Sequence, residues 1–347
     1  MVITRMQEAI AFAVALGCVF ALVPLIRWLC ARWGIFDQPG HLKIHLEPIP
    51  RLGGAGIAFG LVAGMVSALH GARSGALFFA AALGLVWLAG FVDDVRELPP
   101  ALRLLVQIGG ALLLYAGGWR VTFSTSAAFA IVAQCLYVIL FVNAFNFLDG
   151  ADGLAAGIAG VVALGYAATP GLPTSAYGHA VAWSLLGACV GFLFFNFPPA
   201  KIFMGDSGST ALGFSVAFLG LDLTSGHSDG GVARALLFSF LIAALPILDA
   251  LLVVTRRVAR GRSPFRGDRG HFYDFLFAGG WTARRVAISC YILTACLGLL
   301  GWFGMLGGMR RSLILGVGIF GGLLASAWVL GAARLGAMKH SRYRAEL

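Results

Sequence analysis

The amino-acid sequence predicts an all-α integral membrane protein, a single polytopic domain over residues 1–347, and three observations carry that expectation. Hydrophobic residues make up 59% of the chain and charged residues only 12%, with a mean hydropathy of +0.89, far above a soluble domain of this length. The apolar residues gather in runs that approach the roughly 20 needed to cross a hydrocarbon core. Polar residues concentrate in five segments: Lys43-to-Arg51, Asp93-Asp94, Asn143-to-Asp152, Lys201-to-Ser209 and an Arg-rich stretch from Arg256 to Arg285. Lipid offers no partner to backbone N–H and C=O groups, so each apolar run satisfies its own as a helix.

Eleven spans follow in order, at about 7–31, 52–70, 76–92, 101–117, 126–146, 152–169, 179–196, 208–223, 234–256, 285–305 and 312–332. The first is too long for a signal-peptide core and lacks a small-residue cleavage site, so it counts as a helix. The third ends on Asp93-Asp94, the seventh stops before Pro198–Pro199, and the ninth carries one acid, Asp249, in LPILDALL. Six cysteines, Cys18, Cys30, Cys135, Cys189, Cys290 and Cys296, fall inside spans with no zinc-like spacing and read as packing residues.

Cations set the orientation. With the N-terminus outside, 19 Lys and Arg residues lie inside against six outside: Arg5, Arg73, Arg120, Arg234, Arg310 and Arg311. That bias predicts a periplasmic N-terminus and a cytoplasmic C-terminus. All five polar segments are then cytoplasmic, in active-site loops at about 32–51, 93–100, 146–152, 197–208 and 257–284. The net charge of +10 reads as this bias plus an anionic substrate. No basic-aromatic stripe suited to single strands is present, so nucleic acid is not expected as a partner.

Each segment has a bland reading beside the functional one. Asp93 and Asp94 are either two solvated interfacial acids or a cation site, since Mg²⁺ takes one or two carboxylates plus phosphate oxygens. Asn143, Asn146, Asp149 and Asp152 recur every three residues, which keeps them on one helix flank; otherwise they only cap a helix end. In FNFPPAKIFMGDSGS, Asp206 lies between glycines at a helix start, where free N–H groups suit phosphate, unless it or Ser207 is merely an N-cap. Lys201 would be a point charge for a phosphate. Phe203 is either an interfacial anchor or a platform for a flat base. Lipid headgroups account for most arginines of the last loop, leaving His271, Tyr273 and Asp274 as its titratable cluster. Asp249 is a functional group or a structural partner to a neighbouring helix. Together these residues point to a phosphoanhydride substrate and phosphoryl transfer at the cytoplasmic surface.

The ordered motifs HLEPIPRLGG (45–54), FVDDV (91–95), NAFNFLDGADGLAAG (143–157), AKIFMGDSGSTALGF (200–214) and SPF…DRGHFYDFL (263–276) resemble the polyprenyl-phosphate N-acetylhexosamine-1-phosphate transferases. That family includes the undecaprenyl-phosphate GlcNAc-1-phosphate transferases and the phospho-MurNAc-pentapeptide translocases. The resemblance implies transfer of a sugar-1-phosphate from a UDP-N-acetyl sugar to undecaprenyl phosphate, with Mg²⁺ (or Mn²⁺) as cofactor and release of UMP. It implies an enzyme of the bacterial inner membrane, with the lipid bilayer as surroundings and a homodimer as a further expectation. Carried over by position, Asp206 and Asp94 would hold metal, Asp93 and Asp94 would be catalytic, with Asp93 the base on the lipid phosphate or else a nucleophile, and His271 would join them. Asn146, Asp149 and Asp152 would line the nucleotide site and Phe203 would stack on uracil. Lys43, His45, Asn196 and Lys201 would contact phosphate or ribose.

Many relatives carry His-x-His-His where this chain has His271-Phe272-Tyr273-Asp274. The departure points to a 6-deoxy donor such as UDP-FucNAc or UDP-QuiNAc and to the start of O-antigen-type repeats, ahead of UDP-GlcNAc and of muramyl-pentapeptide. The last loop should close over the donor, with His271 and one or more of Arg262, Arg266 and Arg269 on phosphate or sugar, while Arg256 and Arg257 anchor the membrane surface. A transporter or flippase is the alternative of another class, but it would carry its site at midplane on broken helices in related halves.

Overall fold

In the computed structural model the described residues are 4–40, 47–69, 73–121, 126–168, 174–225, 230–264, 270–307, 310–311, 314–319 and 321–322. They form helices α1 (Arg5–Trp33), α2 (Gly54–Ala68), α3 (Arg73–Val95), α4 (Pro100–Ala116), α5 (Ala127–Leu148), α6 (Leu154–Ala168), α7 (Ala176–Asn196), α8 (Gly205–Ser225), α9 (Gly230–Ile242), α10 (Ala244–Ala259), α11 (Phe272–Ala278) and α12 (Ala283–Leu306). A two-residue antiparallel pair, β1 (Phe36–Asp37) and β2 (Ile49–Pro50), closes the loop after α1. Five helices are long and apolar enough to cross a membrane, or six if the α9–α10 pair is one bent span. The fold is an all-α, multi-pass bundle.

Local chemistry sets the ends. Thr4 caps α1, accepting from the Gln7 N–H at 3.3 Å while the Gln7 side chain accepts from the Thr4 N–H at 2.8 Å. This reciprocal pair satisfies two of the donors that a helix start leaves orphaned. Ser126 and Ser175 cap α5 and α7 by the one-way bond alone, their hydroxyls accepting from the Phe129 and Gly178 N–H groups.

The most polar of the long helices is the most buried. α8 carries Asp206, Asp222, four serines and two threonines, and Ser207 through Thr224 are all buried. It touches α2, α3, α5, α6, α7 and α9, so it forms the axis of the bundle. Small residues permit this, because they let neighbouring backbones close on α8. A Cβ on Gly213 would lie 2.6 Å from the Phe141 carbonyl oxygen of α5.

The predicted ninth span differs from expectation. It breaks at Ala243, and α9 and α10 meet at 74°. The sharp bend lets α10 run beside α5 and α12 and carry Asp249 towards the loop that follows it. Most of the predicted eleventh span lies outside the described residues, and α11 is a helix the periodicity did not announce.

Candidate active site

The site forms where α3 meets the first turn of α8. Gly205 has φ +71, and a Cβ there would lie 2.5 Å from the Asp94 carboxylate; glycine alone accepts both conditions without strain. Asp94 Oδ1 accepts from the Asp206 N–H at 2.9 Å and Oδ2 from the Ser207 N–H at 3.0 Å. The Arg51 guanidinium donates to the same Oδ1 at 2.7 Å. A carboxylate on the first N–H groups of a helix meets the positive end of its dipole. Both Asp94 oxygens therefore have protein donors, and the side chain is fully buried.

Its neighbour is held differently. Asp93 Oδ1 accepts from the Leu98 N–H at 2.6 Å and Oδ2 from Arg103 Nη1 at 2.8 Å. The same Arg103 nitrogen lies 3.5 Å from Asp206 Oδ2. Asp206 is partly open, its side chain 35% exposed, yet the surrounding protein still strips water from it. That desolvation, followed by the shared hydrogen bond with Asp93 and the charges of Asp94 and Asp93, pushes its carboxyl well above the ordinary range; Arg103 offsets part of this. Two facing carboxylates are stabilised by a proton or a cation between them.

Asp206 borders two spaces. A narrow crevice is lined by Val86, Asp93, Arg103, Gln107, Asn143 and Asn146 among others. A wide cleft of about 1270 Å³, open to solvent, is lined by Asp37, Arg51, Asp149, Asp152, Asn196 and Phe203 with their neighbours. Asp149 caps the end of α5. Burial, then the charges of Asp206, Asp94, Asp152 and Asp37, raise its carboxyl well above the usual value.

The loops around the cleft are stitched by polar bonds. Asn196 accepts from the Gly153 N–H at 3.0 Å and donates to the Ile202 carbonyl at 2.9 Å, so its amide joins two predicted loops. Asp152 accepts from the Ala200 N–H at 2.9 Å, and Asn146 donates to Ser209 at 3.0 Å. The Phe203 N–H reaches the Pro50 carbonyl at 2.8 Å, and the Gly53 N–H returns to the Phe203 carbonyl at 2.9 Å. Lys201 is exposed and is not among the residues lining the cleft.

Residues 76–224, from α3 to the end of α8, match the family described as Glycosyl transferase family 4. The chain is 30% identical over 299 residues to the probable undecaprenyl-phosphate N-acetylglucosaminyl 1-phosphate transferase of Bacillus subtilis, covering 82% of this chain and 81% of the relative. Against the decaprenyl-phosphate N-acetylglucosaminephosphotransferase of Mycobacterium tuberculosis it is 32% identical over 323 residues, 83% and 80% of the two chains. The phospho-N-acetylmuramoyl-pentapeptide-transferase of Pelotomaculum thermopropionicum is 29% identical over 331 residues, 85% of this chain and 97% of that one. The chain belongs to the polyprenyl-phosphate hexosamine-1-phosphate transferases.

In this transferase Arg256 and Arg257 depart from the expectation that they anchor the membrane surface. Arg257 is buried, stacks over the Phe147 ring at 5.3 Å and donates to the Pro264 carbonyl at 2.6 Å. Arg256 donates to the Gly270 carbonyl. Both arginines hold the loop to the bundle, because their guanidinium groups turn inward to carbonyls and a ring. His271 is buried too, and the cleft lining reaches this segment at Phe277 rather than at His271. Tyr273 stacks on His271 with centroids 5.0 Å apart and packs against Gly150, where any Cβ would collide with its hydroxyl. Asp274 accepts from the His271 N–H at 3.1 Å. Lys43, His45, Arg266 and Arg269 lie outside the described residues.

Sequence reasoning passed over Asp37, Arg51 and Arg103 as site residues. Arg103 read as one of the cations that set orientation, and its distance from Asp206, 103 positions on, hides the pairing. Asp37 ends β1 and Arg51 follows β2, and so short a pairing leaves no periodic signal.

Proposed function

We propose that this transferase moves an N-acetylhexosamine-1-phosphate from a UDP-sugar to undecaprenyl phosphate at the cytoplasmic face of the bacterial inner membrane, releasing UMP. The observation that carries the reading is the Asp93–Arg103–Asp206 cluster at the border of the two spaces. One space is wide and rimmed by Asp149, Asp152 and Phe203, which suits the nucleotide; the other is narrow and reaches between the helices.

An oxygen of the lipid phosphate attacks the phosphorus that bears the sugar. The bond from that phosphorus to the bridging oxygen breaks, and UMP leaves with the electron pair. Asp93, held by the Leu98 N–H and Arg103, takes any proton the attacking phosphate carries. Asp94 keeps Asp206 in place by gripping the first turn of α8, a holding role that replaces its expected part as a metal ligand. The cluster fits Mg²⁺: Asp206 is partly open, faces a second carboxylate, and lies at the cleft where phosphates would complete the shell. When bound, the ion would neutralise developing phosphate charge. Among the described residues no group of three His, Cys, Asp or Glu cages an ion, so substrate oxygens would have to supply much of the shell.

The departure at Tyr273 and Asp274 supports a 6-deoxy donor and the first membrane step of envelope polysaccharide synthesis. Since both side chains are built into the seating of α11, they would act on the sugar through the placement of that helix. The test is incubation of membranes with radiolabelled UDP-sugars, one donor at a time. Label passing into butanol-extractable lipid supports the reading, and a faster rate with a 6-deoxy donor supports the narrower one. Label from UDP-MurNAc-pentapeptide alone would assign the peptidoglycan branch. No transfer from any of them would leave a transporter as the better account.

A further inference from the structure

Asp249 is the one acid in the apolar run of α10, and among buried neighbours such as Ile247, Leu248 and Ala250 it is 1% exposed. A carboxylate in such surroundings persists only with partners for both oxygens. Both come from the segment that follows α10. Oδ2 lies 2.6 Å from His271 Nδ1, and Oδ1 accepts from the Phe272 N–H at 2.9 Å. Two further bonds tie the same segment down: Arg256 to the Gly270 carbonyl, and Asp274 to the His271 N–H.

We propose that Asp249 is a positioning residue for the transfer reaction: from within α10 it fixes the tautomer and aim of His271 and seats α11 against the cleft. Nδ1 bonded to a carboxylate carries its proton, which leaves Nε2 as the acceptor nitrogen of the ring. The Phe272 bond anchors the first residue of α11, whose Phe277 lines the cleft wall. Tyr273 completes the seat, with one face on His271 and its hydroxyl on Gly150, next to Asp149. The inference rests on the proposed reaction for its kinetic arm only.

The experiment uses the full chain in detergent, as wild type, Asp249→Asn, Asp249→Glu, His271→Ala, His271→Asn and the double variant Asp249→Asn/His271→Ala. Hydrogen exchange is read over residues 270–278 and over α8. Asp249→Asn should speed exchange in α11 and leave α8 unchanged. His271→Asn keeps a donor near Nδ1 and lacks Nε2, so it should preserve α11 protection but lose turnover. Asp249→Asn should lower kcat/KM for the UDP-sugar about 10–100-fold, as loss of a histidine's orienting partner does elsewhere, with the lipid KM unmoved and partial recovery in Asp249→Glu. In the His271→Ala background it should cost less than about twofold more, because both changes break one unit. Unchanged α11 exchange in Asp249→Asn, or losses that multiply in the double variant, would overturn the proposal. A wild-type chain that moves no sugar phosphate overturns the reaction instead, and the exchange arm still decides the positioning.

Discussion

The two ends of α8 each hold an aspartate, and they are built in opposite ways. Asp222, at the far end, is 2% exposed and collects donors: Trp119 Nε1 at 2.9 Å, the Ser175 N–H at 2.8 Å, and the Ser175 hydroxyl. It ties α7, α8 and the segment after α4 together. Asp206, at the near end, faces the carboxylates of Asp93 and Asp94, has an Arg103 nitrogen at 3.5 Å, and opens on two spaces. An acid that only holds a fold gathers N–H and O–H groups until its charge is met. One that works on a substrate is left short of donors and close to other acids, which costs stability in the free protein and is relieved by a ligand.

That contrast can be broken most severely at Asp206. Asp206→Asn should insert normally and lose at least about 10³-fold in transfer rate, since loss of a charge-neutralising ligand costs several kcal/mol at about 1.4 kcal/mol per decade. A loss below tenfold would put Asp206 in the same class as Asp222. Arg103→Ala should follow with a drop of about 10²-fold in kcat, because one side of the Asp93–Asp206 pair would be left uncompensated. Arg103→Lys keeps the charge and should recover part of it; equal failure of both would show that the planar guanidinium matters more than the charge. Phe203→Ala should raise the KM for the UDP-sugar by the equivalent of about 1–3 kcal/mol of base stacking, leaving the lipid KM in place. Equal weakening of both substrates would make Phe203 a packing residue. Asp222→Asn sets the smallest effect on chemistry: the melting transition should fall by the equivalent of about 1–3 kcal/mol, with turnover per folded molecule within about twofold of wild type.

How much of this was legible depends on whether a residue's partner is near in sequence. Asp206 stood out because glycines flank it at a helix start, and Asp149 and Asp152 because amides and acids recur every three residues in an apolar run. The helices were legible for the same reason, since burial in lipid writes itself into local composition. The α9–α10 bend was not, because an unbroken apolar run reads the same whether straight or folded by 74°. Asp249 and His271 lie 22 positions apart, and only the return of the chain past the end of α10 brings them together. Arg256 and Arg257 were misread as membrane anchors because sequence records a charge but not whether it turns out to headgroups or in to carbonyls. Asn196 reads as a ligand by motif and does line the cleft, but that its amide also joins two segments of the chain is not legible in the sequence.

The central claim is that Asp206 is the acid of α8 that serves the reaction and Asp222 the one that serves the fold. The most direct measurement is the initial rate of label transfer from UDP-sugar to undecaprenyl phosphate against Mg²⁺ concentration, for wild type, Asp206→Asn and Asp222→Asn normalised to folded protein. Wild type and Asp222→Asn should rise to similar plateaus, while Asp206→Asn stays at background throughout. A near-wild-type plateau for Asp206→Asn at saturating Mg²⁺ would contradict the account.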